Sequence, residues 1–122
     1  MYKLVIMIPD PETLPEFFDH WPDFLHQVER LPGLRREATS HVMHVLFGSG
    51  EYQMIHELFF DNLETLQAAL ASEEGKRSAL ILHQMTRGKL TLMVADHKED
   101  EIENIQRFRQ PEDPADQQRS QA

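Results

Sequence analysis

The 122-residue sequence predicts a single α+β domain in which strands and helical regions follow the order βαββαβ. Three observations lead to this prediction: a β-rich apolar run at the start of the chain, a long amphipathic segment after it, and two strand-like runs that flank a Gly-Ser-Gly turn. A chain of this length can bury a core without disulfides. It contains no cysteine, which excludes thiolate chemistry and allows a reducing compartment.

The first strand and the first helix are predicted from the spacing of their apolar residues. Residues 2–8 (YKLVIMI) are rich in β-formers and stop at a Pro-Asp-Pro turn. From Thr13 to Leu31, apolar residues recur every three or four positions, which makes one face of a helix apolar. A Pro-Gly pair then ends this helix, because the residue before a proline avoids the helical conformation.

The second half of the chain supplies a hairpin, a helical region and a last strand. Residues 34–47 and 51–60 are predicted to pair as a hairpin around the Gly-Ser-Gly turn. A helix then opens at an Asp-Asn pair, and a second helical segment restarts at Ser72. The last strand covers residues 89–96 (KLTLMVAD). This order predicts a ferredoxin-like plait with its helices on one face of the sheet.

The end of the chain differs in composition from the rest. We expect residues 1–97 to form the domain and residues 98–122 to form a highly charged tail that is partly disordered. Within this tail, Ile102, Ile105 and Phe108 lie three positions apart. They make this piece a candidate helix that docks on the domain or on a partner subunit.

Alternation along the predicted strands sorts their residues into two faces. The even-numbered positions form a nearly unbroken apolar surface, which is suited to packing beneath the helices. The odd-numbered positions also carry too many large apolar side chains to face water. The economical cover for that face is the same face of a second copy, so we expect a homodimer with a cavity between its two sheets.

Two polar residues are candidates for chemistry in this cavity. A hairpin centred on Ser49 places His41 opposite Glu57 on the odd-numbered face. A carboxylate beside an imidazole raises the imidazole pKa and fixes its tautomer, which suits a general acid or base. The alternative is a buried pair that only sets the strand register. The residues expected to shape the binding pocket are Met7, His20, Met43, Phe59 and Met93.

Charge and motif content exclude several classes of partner. The 21 Asp and Glu residues outnumber the 12 Lys and Arg residues, and the net charge of −9 repels phosphate backbones and anionic lipids. We therefore expect no nucleic acid or membrane partner. The apolar start is too short for a signal peptide or a membrane span, so a cytoplasmic location is the simplest interpretation. No histidine and carboxylate spacing favours a metal site, and no phosphate-binding loop is present.

Four stretches of the chain resemble the EthD family of dimeric α+β barrel proteins. They are KLVIMIPDPE, RLPGLRR, YQMIHELFFDNLETLQAALASEEG and GKLTLMVAD, which together span most of the sequence from Lys3 to Asp96. The resemblance implies a homodimer with a small-molecule cavity between its sheets. It also implies a role in the degradation of ethers or other xenobiotics, or in polyketide-type aromatic metabolism.

One position departs from the EthD pattern, and another matches it. Members of the family carry an H-x-P motif on the first helix, and here its place is taken by Phe24, Leu25 and His26. The family's polar cavity residue is therefore missing from its expected position. Glu57 matches the glutamate of the family's HELFF segment.

Together, these observations predict a cofactor-independent, EthD-like homodimer that binds a small apolar or aromatic molecule. If the protein is an enzyme, His41 held by Glu57 is expected to transfer a proton, in proton-transfer or oxidative chemistry. Two alternatives stay open: a non-catalytic carrier dimer with the same cavity, and a barrel that binds haem or a metal.

Overall fold

The computed structural model describes residues 1–104 and contains a four-stranded antiparallel sheet with helices on one face. In chain order, the elements are β1 (Tyr2–Ile8), a short 3-10 helix (Pro11–Thr13), α1 (Phe17–Val28), β2 (Arg36–His41), β3 (Met54–Phe60), α2 (Leu63–Ala71), α3 (Glu73–Thr86) and β4 (Thr91–Asp96). The strand order is β2-β3-β1-β4. The predicted ferredoxin-like α+β fold is confirmed.

The helices begin where side chains cap them. Asn62 accepts a hydrogen bond from the Thr65 amide at 2.8 Å and opens α2. Ser72 accepts one from the Gly75 amide at 3.1 Å, so the predicted restart at Ser72 is confirmed. Helix α1 is shorter than the helix predicted from Thr13 to Leu31. Leu14 and Leu31, at the two ends of the apolar pattern, are buried although they lie in the turns that flank the helix.

The core lies between the helices and the predicted even-numbered face of β1 and β3. The buried residues of these two strands are Leu4, Ile6, Ile8, Met54, His56, Leu58, Phe59 and Phe60. All of them except Phe59 are even-numbered, and they pack against Phe17, Phe24 and Val28 of α1 and Leu66 of α2. Burying each large apolar side chain contributes about 1.5–3 kcal/mol. The sorting of β1 and β3 into a core face and an opposite face therefore agrees with the sequence prediction.

The pairing of β2 with β3 differs from the prediction. Both strands are shorter than expected, so residues 42–53 form a long connection in place of a tight turn. His41 pairs with Met54, and Glu57 pairs with Ala38. The predicted pairing of His41 with Glu57 is therefore wrong. The physical reason is that a short turn fixes strand register, whereas a long connection leaves the register to be set by packing.

The changed register also exchanges the two faces of β2. Thr39 pairs with His56, so the odd-numbered residues of β2 share the helix-covered face with the even-numbered residues of β3. His41 therefore lies on the helix-covered face, whereas Glu57 lies on the opposite one. Met43, expected on the sheet, lies in the connection with 80% of its surface exposed.

The helices leave the edge strand β4 partly uncovered. Leu92 and Val94 share a face with the core residues Ile6 and Leu4, yet about half of each side chain is exposed. At the other end of the described chain, Ile102 is also exposed. Its predicted helix partners Ile105 and Phe108 lie outside the described residues, and the domain boundary after residue 97 stays a prediction.

Candidate functional sites

The open face, which is the sheet face opposite the helices, brings together three of the predicted site residues. Met7, Glu57 and Met93 all lie there, because Val5 of β1 pairs with Glu57 on one side and with Met93 on the other, and Met7 follows on the same face. Glu57 forms an ion pair with Lys3, and each side chain is 19% exposed. The open face therefore combines apolar side chains with one central, half-buried ion pair.

Two other predicted pocket residues do not line the open face. Phe59 points to that side but is only 3% exposed, because the Arg36 guanidinium lies 4.2 Å from its ring centre and the His97 ring lies 5.0 Å away. His20 lies on α1, within the helix layer on the other side of the sheet. Neither residue is available to a ligand held between two open faces.

A pocket of about 200 Å³ lies between α3 and the β1–β4 side of the sheet, and we refer to it as the α3 pocket. Its walls are almost entirely apolar. They are formed by Leu4, Ile6, Phe24, Val28, Leu31, Leu58, Leu70, Gly75, Ser78, Ala79, Leu82, His83, Leu90 and Leu92. The Ser78 hydroxyl donates a hydrogen bond to the Glu74 carbonyl at 2.7 Å. His83 is exposed and presents the pocket's one titratable side chain near its opening.

Three polar residues form a second arrangement, the β2-edge cluster, which consists of Glu37, Thr39 and His56. The Thr39 hydroxyl lies 2.8 Å from Nδ1 of His56. Nε2 of His56 lies 3.3 Å from Oε2 of Glu37, but the contact is poorly directed, so Nε2 has no hydrogen-bond partner among residues 1–104. The imidazole is fully buried, with the Trp21 and Phe24 rings at 5.3 and 6.0 Å.

Burial sets the protonation state of this cluster. It lowers the pKa of His56 from 6.5 to about 4, against a weaker opposite influence of the Glu57 charge. It also raises the pKa of Glu37, and the nearby charge of Glu29 acts in the same direction. His56 is therefore a neutral imidazole at pH 7, able to accept a proton at one ring nitrogen.

An aromatic recess of about 330 Å³ opens beside this cluster. Phe17, Phe18 and Trp21 of α1 form one wall, and His41 with Met54 forms another. His41 thus lies in a recess on the helix side of the sheet, away from the open face.

No metal or membrane feature accompanies these sites in the described part of the chain. Residues 1–104 contain no group of three or more His, Asp or Glu side chains placed to hold a metal ion. None of the described helices is long and apolar enough to cross a bilayer.

Sequence reasoning missed the α3 pocket and the β2-edge cluster for different reasons. The pocket depends on how far α3 covers β4, and this packing cannot be predicted from the residue pattern of either element. The cluster depends on the register between β2 and β3, which cannot be predicted when the connection between the strands is long. One usable signal was present: Glu37, Thr39 and His41 alternate along β2, so they share one face in any register.

Comparison with known proteins gives matches among solved structures only. The chain matches no protein-family model, and no curated protein matches it. A solved ethyl tert-butyl ether D (EthD) family protein from Bacillus halodurans C-125 is 26% identical, with a TM-score of 0.70, over 80% of this chain and 99% of that one.

Two further structures share the fold at lower identity. A dimeric ferredoxin-like protein of unknown function from Jannaschia sp. CCS1 is 16% identical, with a TM-score of 0.62, over 79% of this chain and 97% of that one. SnoaB, a cofactor-independent oxygenase from Streptomyces nogalater, is 14% identical, with a TM-score of 0.54, over 83% of this chain and 93% of that one.

The fold and these neighbours define the class as ferredoxin-like α+β proteins. Within that class, the resemblance to the EthD family predicted from the sequence is confirmed by the Bacillus halodurans protein.

Proposed function

We propose that this protein is an EthD-like homodimer that binds a small, largely apolar molecule in the α3 pocket. The observation that carries the proposal is the pocket itself, which is apolar on nearly all sides and has one imidazole, His83, near its opening. A cavity of roughly 150 Å³ is large enough for benzene. A pocket of about 200 Å³ therefore suits a single substituted ring or a short branched chain.

The dimer is supported by the open face and by the neighbours. Val5, Met7 and Ile55 are only partly covered there, and Met93 is exposed. Apolar surface of this kind is characteristic of an interface. One neighbour is described as a dimeric ferredoxin-like protein. A dimer formed through the open face would leave the α3 pocket accessible, because the pocket lies on the other side of the sheet.

The chemistry of the bound molecule is the second part of the proposal. An EthD family protein and a cofactor-independent oxygenase are among the neighbours. A small ether, phenol or quinone in oxidative or degradative metabolism is therefore the class of ligand we propose. If the protein is an enzyme, His83 is the group best positioned to move a proton on a molecule in the α3 pocket. A non-catalytic carrier would use the same pocket without that step.

A ligand screen with one blocking variant tests the binding proposal. Phenol, anisole and benzoquinone are added to purified protein, and the melting temperature is measured. A ligand present at about a hundred times its dissociation constant adds roughly 2.7 kcal/mol of stability. In Ala79→Trp, the indole fills the mouth of the pocket, and the shift should disappear. Ala68→Trp is the matched control, because Ala68 is also an exposed helical alanine but lies outside the pocket.

The outcomes separate the possible sites. A shift that is present in the wild type and in Ala68→Trp but absent in Ala79→Trp supports the α3 pocket. A shift that persists in Ala79→Trp would show that the ligand binds outside the α3 pocket. The absence of a shift with all three probes would contradict the proposal.

The dimer is tested by light scattering after size-exclusion chromatography. Met93→Glu places a charge on the open face, whereas Leu80→Glu places the same charge on an exposed apolar position of α3. We expect Met93→Glu to be monomeric and Leu80→Glu to stay dimeric. A monomeric wild type, or a dimer lost equally in both variants, would contradict the assignment of the interface.

A further inference from the structure

We propose that Thr39, His56 and Glu37 form a second site, in which the Thr39 hydroxyl is a nucleophile toward small aromatic esters. In this site His56 is the general base and Glu37 positions His56. The proposal is independent of the α3 pocket, because none of the three residues lines that pocket.

The geometry places a hydroxyl, an imidazole and a carboxylate in the order that nucleophilic catalysis uses. A hydroxyl becomes a useful nucleophile when a base lies within hydrogen-bond reach and a third group orients that base. The Thr39 hydroxyl lies 2.8 Å from Nδ1 of His56, and the Glu37 carboxylate lies 3.3 Å from the other ring nitrogen. An ionised carboxylate can only accept, so the arrangement favours the tautomer with hydrogen on Nε2 and a free Nδ1 facing the hydroxyl.

The three residues differ in solvent exposure, in a way that fits their proposed roles as nucleophile, general base and positioning residue. Thr39 is exposed on the edge strand, where a substrate can reach it. His56 is fully buried beneath Trp21 and Phe24, which hold its ring in place beside the Thr39 hydroxyl. Glu37 is partly exposed, with 31% of its side chain accessible, and one of its carboxylate oxygens already lies 3.3 Å from Nε2. Hydrogen bonds in sites without ligand are often long or poorly aligned.

The unpartnered ring nitrogen argues against a purely structural role. A buried polar atom without a hydrogen-bond partner is destabilising, because its lost interaction with water is not replaced. Nε2 of His56 is such an atom in the described part of the chain, although Glu37 is close enough to satisfy it. A histidine that served only to join β2 and β3 would be expected to satisfy both nitrogens.

The adjacent aromatic recess indicates the class of substrate. The His41–Met54 pair follows the Thr39–His56 pair on the same face, about 7 Å further along the strands. The Phe18 and Trp21 rings on the opposite wall suit an aromatic group. Asp10 and Glu12 also line the recess and disfavour an anionic substrate. A neutral aryl ester fits, with its ring in the recess and its carbonyl near Thr39.

The reaction balances without any further reagent. Oγ1 of Thr39 attacks the acyl carbon while its proton passes to Nδ1 of His56. The bond between the acyl carbon and the leaving phenol oxygen then breaks, and the phenol takes the proton from Nδ1. Water, deprotonated by His56, releases the acid and restores the hydroxyl. The sum is ester plus water giving acid plus phenol.

Covalent labelling with p-nitrophenyl acetate tests the proposal on the full chain. Release of p-nitrophenolate alone is insufficient, because exposed imidazoles such as His41 also cleave this ester. The acetyl group is therefore mapped to its residue by peptide mass spectrometry, with and without hydroxylamine, which removes esters but leaves amides on lysine. The reaction is quenched with acid at short times, before water releases the acyl group, and we expect a hydroxylamine-sensitive acetyl group on Thr39.

Matched variants separate an activated hydroxyl from an exposed one. The label should be lost in Thr39→Val and retained in Thr39→Ser. Labelling should be slowed roughly tenfold or more in Glu37→Gln, given the range of about 10²–10⁴ typical of general-base assistance. Ser40→Ala is the control, because Ser40 is an exposed hydroxyl on the same strand but on the open face.

Two results would overturn the proposal. One is an absence of label on Thr39, or labelling no faster than that of Ser40. The other is a Glu37→Gln variant that labels at the wild-type rate. Neither Thr39 nor Glu37 is buried, so both variants should fold, and circular dichroism checks this directly.

Discussion

Lowering the pH from 7 to 5 should destabilise the protein through one residue, His56. Its folded-state pKa is about 4 because of burial, whereas the unfolded chain has the ordinary value of 6.5. Between these values the unfolded state binds a proton that the folded state does not, so stability falls as the pH falls. For one such group, linkage gives a loss of about 2 kcal/mol between pH 7 and 5, and about 3 kcal/mol by pH 4.

Glu37 acts in the opposite direction and must be separated. Its folded-state pKa is raised above 4.5, so its contribution to stability is present at low pH and is lost as the pH rises through the raised value. In Glu37→Gln this opposing contribution is absent. The pH dependence of that variant should therefore be at least as steep as that of the wild type.

The assay is urea unfolding at several pH values between 7 and 5, with His56→Asn as the non-titrating variant. The wild type should lose about 2 kcal/mol more than His56→Asn over this range. Parallel pH dependences would refute the reasoning. If His56→Asn does not fold, an NMR titration of the wild type replaces it. There a midpoint near 4 is expected for His56, and a midpoint near 6.5 would refute the assignment.

Four further predictions concern stability and are checked by the same unfolding assay. Gly75→Ala should cost about 3 kcal/mol, because the new Cβ would lie 2.2 Å from a backbone carbonyl of α2. Gly48→Ala should cost about 1–2 kcal/mol, from its positive φ of 92° in open space. Asn62→Ala should lose about 1 kcal/mol with the cap of α2, and Asn62→Asp should keep it. Phe60→Ala, in the core, should cost about 3–5 kcal/mol, whereas Phe47→Ala, at a 98% exposed ring, should change stability by less than about 0.5 kcal/mol.

The order of elements could be predicted because the signals for it are local. The apolar run of β1 and the three-and-four spacing of α1 are contained within each segment. The same holds for the Ser72 cap that restarts the helical region. The residues predicted for the sheet on β1, β3 and β4, including Met7, Glu57 and Met93, lie on the expected face for the same reason.

The pairing of β2 with β3 could not be predicted from local signals. Residues 42–47 (VMHVLF) have a strand-like composition, but Met43, Leu46 and Phe47 are exposed in the connection and pair with no strand. Extending β2 through them gave the wrong register and so the wrong partner for His41. A parity argument fails whenever the connection is long, since an odd shift exchanges the faces of a whole strand.

The two proposed sites can be tested independently because they occupy opposite edges of the same face of the sheet. The α3 pocket is lined mainly by α3, β1 and the start of β4, with Leu58 as its one residue from β3. The β2-edge cluster joins β2 to β3, and the lining of the pocket includes none of the cluster's residues. Phe24 is common to both surroundings, since it lines the pocket and lies 6.0 Å from the His56 ring. The substituted residues Ala79 and Thr39 lie on different elements, however, and substitutions at separate positions usually act additively. Ala79→Trp should therefore leave acylation of Thr39 unchanged, and Thr39→Val should leave ligand binding unchanged. If either variant altered both readouts, the two sites would have to be treated as one.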